Sequence, residues 1–149
     1  MRTLAPHDYE RLADLAVHYR DIHLRSMKQK HHFNPRLGVD ALCFQFLEAP
    51  FKEQQESLLV GALITPCAMW LVALPGAIQQ GPLTTTLRLK LPSGVYSLTL
   101  EQLPEGNALY KRIVLEDLTD LDSMQEAARL AQRMMGQLMV PPDASPEVE

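Results

Sequence analysis

Cysteine is scarce in this sequence, and the common catalytic motifs are missing from it. Only Cys43 and Cys67 occur among the 149 residues, which excludes a disulfide-dense fold and a four-cysteine metal site. The patterns GxGxxG, GxSxG and HExxH and the P-loop are also absent, so no nucleotide-binding, hydrolase or zinc-protease signature is present. Neither cysteine has a histidine near it in sequence, and we expect buried, unreactive thiols. These absences favour a binding protein over an enzyme, with no cofactor.

The spacing of the histidines gives only weak evidence for a metal site. His18 and His23 are five residues apart on a predicted helix, too far round it to chelate one ion well. A site built from His31, His32 and a cysteine is an alternative, but a solvated basic helix end is the simpler interpretation. We therefore expect no bound metal.

A long uncharged run raises the question of a membrane span. Residues 58–78 contain no charge over 21 residues, which is enough to cross a bilayer as a helix. Pro66 and Pro75 argue against that helix, because a proline in a helix interior costs about 3 kcal/mol. We predict two buried strands, 58–64 and 68–74, and no membrane insertion. The first residues contain no apolar signal core, so we expect a cytoplasmic protein.

Apolar residues recur at helical spacing near both ends of the chain. They predict one helix over 8–28, with Asp8 as its N-cap, and another over 124–138. Ser123 and Glu126 have the spacing of a capping box at the start of the second helix. Gly136 and the prolines at 141 and 142 mark its end.

The residues between the helices predict strands. Short alternating or apolar runs occur at 43–47, 58–64, 68–74, 87–91, 95–100 and 108–115, with turns at 92–94 and 104–107. The pattern indicates an α+β fold: an antiparallel, meandering sheet of five or six strands, with the N- and C-terminal helices packed on one face. We expect a single domain over residues 1–140 and a disordered acidic tail over 141–149.

The net charge of −4 hides a lopsided distribution. Residues 20–36 carry five basic groups against one acidic group, whereas residues 101–149 carry ten carboxylates against four basic groups. Part of each excess is explained by the helix dipole, which favours cations near a helix C-terminus and acids near a helix N-terminus. The remaining acids, including Glu116, Asp117 and Asp120, suit a basic partner. An acidic protein without an aromatic stacking platform interleaved with its basic residues is not expected to bind nucleic acid.

Methionine is concentrated in the acidic half of the chain. Met124, Met134, Met135 and Met139 lie in or just after the second helix. Neighbouring helical residues are about 100° apart, so we expect that Met134 and Met135 cannot both point fully inward. Flexible methionine side chains can form either core or an adaptable apolar surface for a peptide.

Several short segments occur in a characteristic order and spacing. They are NPRLGV at 34–39, GALITP at 61–66, LPG at 74–76, LPSG at 91–94 and EAARL at 126–130, together with Met69, Leu71, Val72 and Tyr110. Over about residues 12–140, this pattern resembles the HybE/HupJ family of nickel-iron hydrogenase assembly chaperones.

The resemblance implies an assembly chaperone. Such a protein is expected to bind the hydrogenase small-subunit precursor and its twin-arginine signal peptide, delaying export until cofactor insertion and assembly. The alternative is a scaffold that binds other maturation proteins and never contacts the signal. The family implies no catalytic residue, so the candidate contacts come from charge and hydropathy. They are Glu116, Asp117 and Asp120 for the arginines, and Pro66, Met69, Trp70, Met134 and Met135 for the apolar part.

Overall fold

Two helices flank six strands, as the sequence predicts. The computed structural model describes residues 3–51, 54–75, 83–103 and 108–141. The elements are α1 (Pro6–Lys28), β1 (Asp40–Phe51), β2 (Gln54–Ile64), β3 (Met69–Leu74), β4 (Thr86–Leu91), β5 (Gly94–Gln102), β6 (Ala108–Leu115) and α2 (Met124–Leu138). The α+β class is confirmed. The turn predicted at 104–107 lies outside the described residues, as does the tail beyond residue 141.

The strands form one antiparallel sheet in the order β1-β2-β3-β6-β5-β4. It consists of two three-stranded meanders joined by the pairing of β3 with β6. The sheet curls, so that β1 and β4 at its two edges approach each other. The uncharged run supplies most of β2 and all of β3, which confirms the two predicted strands. Neither helix in the described ranges has the length and hydropathy needed to cross a membrane.

The two helices pack on opposite faces of the sheet, so the expectation that both lie on one face is wrong. Side chains alternate between faces along a strand. On β2, Leu58 and Val60 belong to the core shared with α2, whereas Leu59 and Leu63 pack with α1. Both faces of residues 58–64 of this strand are buried, so each face is covered by a different helix.

Met134 and Met135 are both buried, with 8% and 4% of their surface exposed. The expectation that one of them would be excluded from the core is therefore wrong. Both belong to the cluster between α2 and the sheet, which also contains residues of β4 and β5. Because the sheet curls, it contacts more of the helix circumference than a flat sheet would.

The helix N-termini are capped differently from the prediction. Ala5, not Asp8, is the N-cap of α1, and Asp8 Oδ2 accepts a 2.8 Å hydrogen bond from the Ala5 backbone N–H. At α2, Ser123 Oγ accepts from the Glu126 N–H at 3.2 Å, as predicted. The Glu126 carboxylate instead accepts from the Asp122 N–H at 2.8 Å, so only half of the reciprocal capping box forms.

A β-bulge in β1 requires a glycine on β2. Cys43 has φ 61°, a left-handed conformation that is uncommon for a non-glycine residue. The register shifts between Leu42 and Gln45, which lays Phe44 over Gly61. A Cβ atom at Gly61 would lie 2.3 Å from the Phe44 ring and 2.8 Å from its Cα. Only glycine fits beneath the bulge.

The buried residue Asn34 joins three separate parts of the chain through its side chain and its backbone. Its Nδ2 donates to the carbonyls of Leu118 and Leu121 at 2.8 and 2.9 Å, and its Oδ1 accepts from the Arg36 N–H at 3.0 Å. The Asn34 backbone N–H donates to the Pro66 carbonyl at 2.9 Å. The loop after α1, the β2–β3 turn and the β6–α2 loop are thereby held together.

Replacing Asn34 should therefore destabilise the fold. Asn34→Ala removes a donor from two carbonyls, and an unsatisfied buried polar group costs about 1–3 kcal/mol. We expect the free energy of unfolding in urea to fall by about 2–3 kcal/mol. Gln132→Ala, an exposed change on α2, is the control and should stay within about 0.5 kcal/mol. Equal stability of the two variants would contradict the role of Asn34.

Substitution at two glycines should have opposite effects. Gly61→Ala places a methyl group against Phe44 and should lower the free energy of unfolding by about 1–3 kcal/mol, the usual cost of overpacking. Gly136→Ala, on α2 with no atom within 4 Å of the added Cβ, should raise it by about 0.5–1 kcal/mol. In a double-mutant cycle measured by urea denaturation, Phe44→Ala should relieve part of the Gly61→Ala loss. Strict additivity would contradict the contact.

Candidate functional site

A cavity of about 420 Å³ lies on the α1 face of the sheet. It is bounded by the second half of α1 and the turn after it, by the β2–β3 turn, and by β3 and β6. Its lining includes Tyr19, His23, Ser26, Met27, Lys30, His32, Thr65, Cys67, Ala68, Trp70, Lys111, Ile113 and Glu116.

The apolar part of this lining comes from neighbouring strands and the helix above them. Trp70 on β3 pairs with Ile113 on β6 in the sheet register, so their side chains lie next to each other. Ile113 is 38% exposed, Trp70 is partly buried and Met27 is buried. Trp70 is the only tryptophan in the chain. The cavity therefore contains its own fluorescent reporter.

A charged network forms one wall of the cavity. Lys111 Nζ lies 2.6 Å from Glu101 Oε1 and donates to Tyr19 Oη at 2.8 Å. The same ammonium group is 4.2 Å from the centre of the Trp70 ring, a cation–π arrangement. His23 Nε2 lies 2.5 Å from Glu101 Oε2. One carboxylate thus links α1 to β6 through two partners.

The network favours the charged states of Glu101 and Lys111 and the neutral state of Tyr19. Burial alone would raise the pKa of Glu101, but hydrogen bonds from Lys111 and His23 outweigh it and lower that pKa. Burial would lower the pKa of Lys111, but its bonds to Glu101 and Tyr19 raise it. Burial raises the pKa of Tyr19, against the opposing effect of Lys111. Glu101 and Lys111 therefore form an ion pair at neutral pH.

The structure brings some of the sequence-predicted site residues together at this cavity. Trp70 and Glu116 both line it. Asp117 and Asp120 are exposed on the loop that follows β6. Asp117 Oδ1 accepts from the Thr119 hydroxyl at 2.7 Å and from the Thr119 N–H at 2.9 Å, and these bonds lower the pKa of Asp117. We call the exposed residues Glu116, Asp117 and Asp120 the acidic loop.

The other predicted site residues are not part of the cavity lining. Met69, Met134 and Met135 are buried in the core between α2 and the sheet. Pro66 is buried in the β2–β3 turn, where its carbonyl accepts from Asn34. These four residues present no surface to a peptide in this structure.

The basic segment after α1 lies beside the acidic loop. Lys30 and His32 line the same cavity as Glu116, and the charges of His32 and His31 contribute to lowering the pKa of Asp117. Sequence reasoning treated these segments as separate surfaces. It also missed Tyr19, His23 and Lys111, whose contacts arise only when α1 packs on β6.

The cysteines and histidines show no reactive or metal-binding arrangement in the described part of the chain. Cys67 is buried and its Sγ donates to the Met27 carbonyl at 3.6 Å. Burial raises the pKa of both Cys67 and Cys43, which disfavours the nucleophilic thiolate. No group of three or more His, Cys, Asp or Glu side chains is placed to hold a metal ion there.

The contribution of Glu101 should depend on pH. A carboxyl group whose pKa is lowered in the folded state stabilises the fold above its ordinary pKa of 4.5, and loses that effect as pH falls through the folded pKa. Glu101→Gln should lower the free energy of unfolding by about 1 kcal/mol at pH 7, less than a fully buried charged hydrogen bond because the pair is partly exposed. In urea denaturation, that loss should shrink towards zero between pH 6 and pH 3.

The exposed Glu10→Gln on α1 is the matched control. It makes the same chemical change outside the network and should be nearly neutral at each pH. A Glu101→Gln loss that stays constant down to pH 3 would contradict an ionic role for Glu101.

Comparison with known proteins identifies the family. A family model described as NiFe-hydrogenase assembly, chaperone, HybE matches residues 10–149. The hydrogenase expression/formation protein HupJ of Bradyrhizobium diazoefficiens is 25% identical over 134 residues, covering 90% of this chain and 75% of HupJ. The solution structure of HybE from Escherichia coli has the same fold, with a TM-score of 0.61 at 24% identity over 93% of this chain and 84% of that one. Because the family model spans nearly the whole chain, this protein belongs to the HybE family of NiFe-hydrogenase assembly chaperones.

Proposed function

We propose that this protein binds the hydrogenase small-subunit precursor through its twin-arginine signal peptide, in the cytoplasm, and delays export until cofactor insertion and assembly. One observation carries the proposal. Glu116 both lines a partly apolar cavity and begins an exposed acidic loop. A twin-arginine signal peptide has a basic segment followed by an apolar one. Its basic segment can contact the acidic loop while its apolar segment contacts the cavity.

The acidic loop supplies the electrostatic part of this interaction. None of its three carboxylates has a Lys or Arg ion-pair partner in the described part of the chain. An exposed aspartate is ionised at neutral pH, and the hydrogen bonds from Thr119 lower the pKa of Asp117 further. Exposed charge pairs contribute only about 0–1 kcal/mol each, so we expect the loop to favour basic segments and speed their encounter.

The cavity supplies the apolar part. We expect Trp70 and Ile113 to contact the apolar residues of the peptide, in place of the buried methionines. Lys30 and His32 belong to the α1 side of the cavity, which disfavours the arginines there. The arginines are therefore expected on the side of the β6–α2 loop, next to Glu116.

Neutralising the acidic loop should weaken peptide binding. A synthetic small-subunit signal peptide without tryptophan, titrated against the full chain, should change the emission of Trp70. The triple variant Glu116→Gln, Asp117→Asn and Asp120→Asn should raise the Kd about tenfold, the equivalent of about 1.4 kcal/mol. Added salt should weaken binding to the native protein more than to the variant.

A triple variant on α1 provides the charge-matched control. Glu10→Gln, Asp14→Asn and Asp21→Asn also removes three exposed carboxylates and should leave the Kd within about twofold. Equal losses for the two triple variants would argue for a non-specific charge effect. Binding of other maturation proteins, with no binding of the peptide, would contradict the proposal and favour the scaffold alternative.

A further inference from the structure

Strands β5 and β6 are paired over only part of their lengths. Their register runs from Gln102↔Ala108 to Thr99↔Lys111 and stops there. β6 nevertheless continues to Leu115 along β3, and β5 begins at Gly94 along β4. Within the described ranges, residues 112–115 have no strand partner on the side of β6 that faces β5. Residues 95–98 likewise have none on the side of β5 that faces β6. We call this opening the β5–β6 notch.

Backbone without a strand partner and exposed apolar side chains occur together at the notch. The Arg112 side chain crosses the notch, where its Nη1 donates to the Ser97 carbonyl at 3.3 Å. Ile113 and Val114 on the opposite strand are 38% and 36% exposed. Proteins commonly cover or charge an open strand edge, because it can pair with another chain. Here the open segment lies next to the cavity, since Ile113 belongs to both.

We propose that an extended segment of the signal peptide adds as a strand to the open edge of β6 at 112–115. This inference rests on the proposed function and specifies how the same site recognises the peptide. Main-chain pairing would align the segment with β6, and alternate side chains would point towards Ile113 and Trp70. Glu116 and Asp117 follow directly after the open segment, so the basic end of the added strand lies beside the acidic loop.

The outer edges of the sheet are less suitable for this peptide. No residue of β4 or β1 is in the lining of the cavity. The β6 edge carries Arg112 and has a register shift of its own between Ile113 and Leu115, so its position distinguishes it from the outer edges. Among these edges, β6 alone combines an apolar cavity with carboxylates at one end.

A pair of backbone-modified peptides tests the pairing without altering the protein. Two otherwise identical signal peptides carry one N-methyl group each, at adjacent residues just after the arginine pair. In an added strand, adjacent N–H groups point to opposite sides, so only one of the two modifications removes a ladder bond. We expect one peptide to bind about tenfold more weakly than the unmodified one and the other to stay within about threefold.

Amide hydrogen exchange locates the edge that is used. With the unmodified peptide bound to the full chain, backbone amides within 112–115 should exchange more slowly, while those of Thr86–Leu91 at the β4 edge should not change. Protection at β4 or β1 instead would overturn the assignment to β6.

The outcomes separate this inference from the proposed function. If the unmodified peptide binds and both N-methylated peptides bind equally well or equally poorly, strand addition is wrong and signal-peptide binding stands. If the unmodified peptide does not bind at all, the proposed function fails, and strand addition fails with it.

Discussion

The buried amide of Asn34 is the constraint on which the arrangement of the site depends. Its Nδ2 holds the carbonyls of Leu118 and Leu121 at hydrogen-bond distance, while its backbone binds Pro66. His32 precedes Asn34 by two residues, and Asp117 precedes Leu118 by one. The basic end of α1 and the acidic loop therefore lie together because the residues next to them are hydrogen-bonded. Two segments of opposite charge become parts of one site.

Burial of the central strands on both faces separates that site from the rest of the core. α1 covers one face of β2 and β3, and α2 covers the other. The methionines of α2 therefore fill the inner core, and the cavity forms where the end of α1 meets β6. The network of Lys111, Glu101 and His23 joins that helix to the sheet at the cavity wall. The candidate cavity and the methionines of α2 thus lie on different faces of one sheet.

Local sequence patterns predict the elements well, because helical and strand periodicities depend on neighbouring residues. The bounds of α2 and β6 agree with the prediction, and the uncharged run divides at Pro66. The unbroken apolar stretch at 58–64 is itself a signal of burial on both faces, so helices on opposite faces were predictable. The contact of His23 with Glu101, 78 residues away, was not. It depends on the pairing of β3 with β6 and on how α1 crosses them.

Main-chain pairing and side-chain recognition would have distinct tasks at the β5–β6 notch. Any extended peptide can form ladder hydrogen bonds, so an open edge by itself cannot distinguish one sequence from another. A net hydrogen bond contributes about 0.5–1.5 kcal/mol, and an open segment of four residues provides few of them. Selection must then come from Trp70 and Ile113 on one side and from Glu116 and Asp117 at the end. A short edge also keeps the complex reversible, which a chaperone that must release its partner requires.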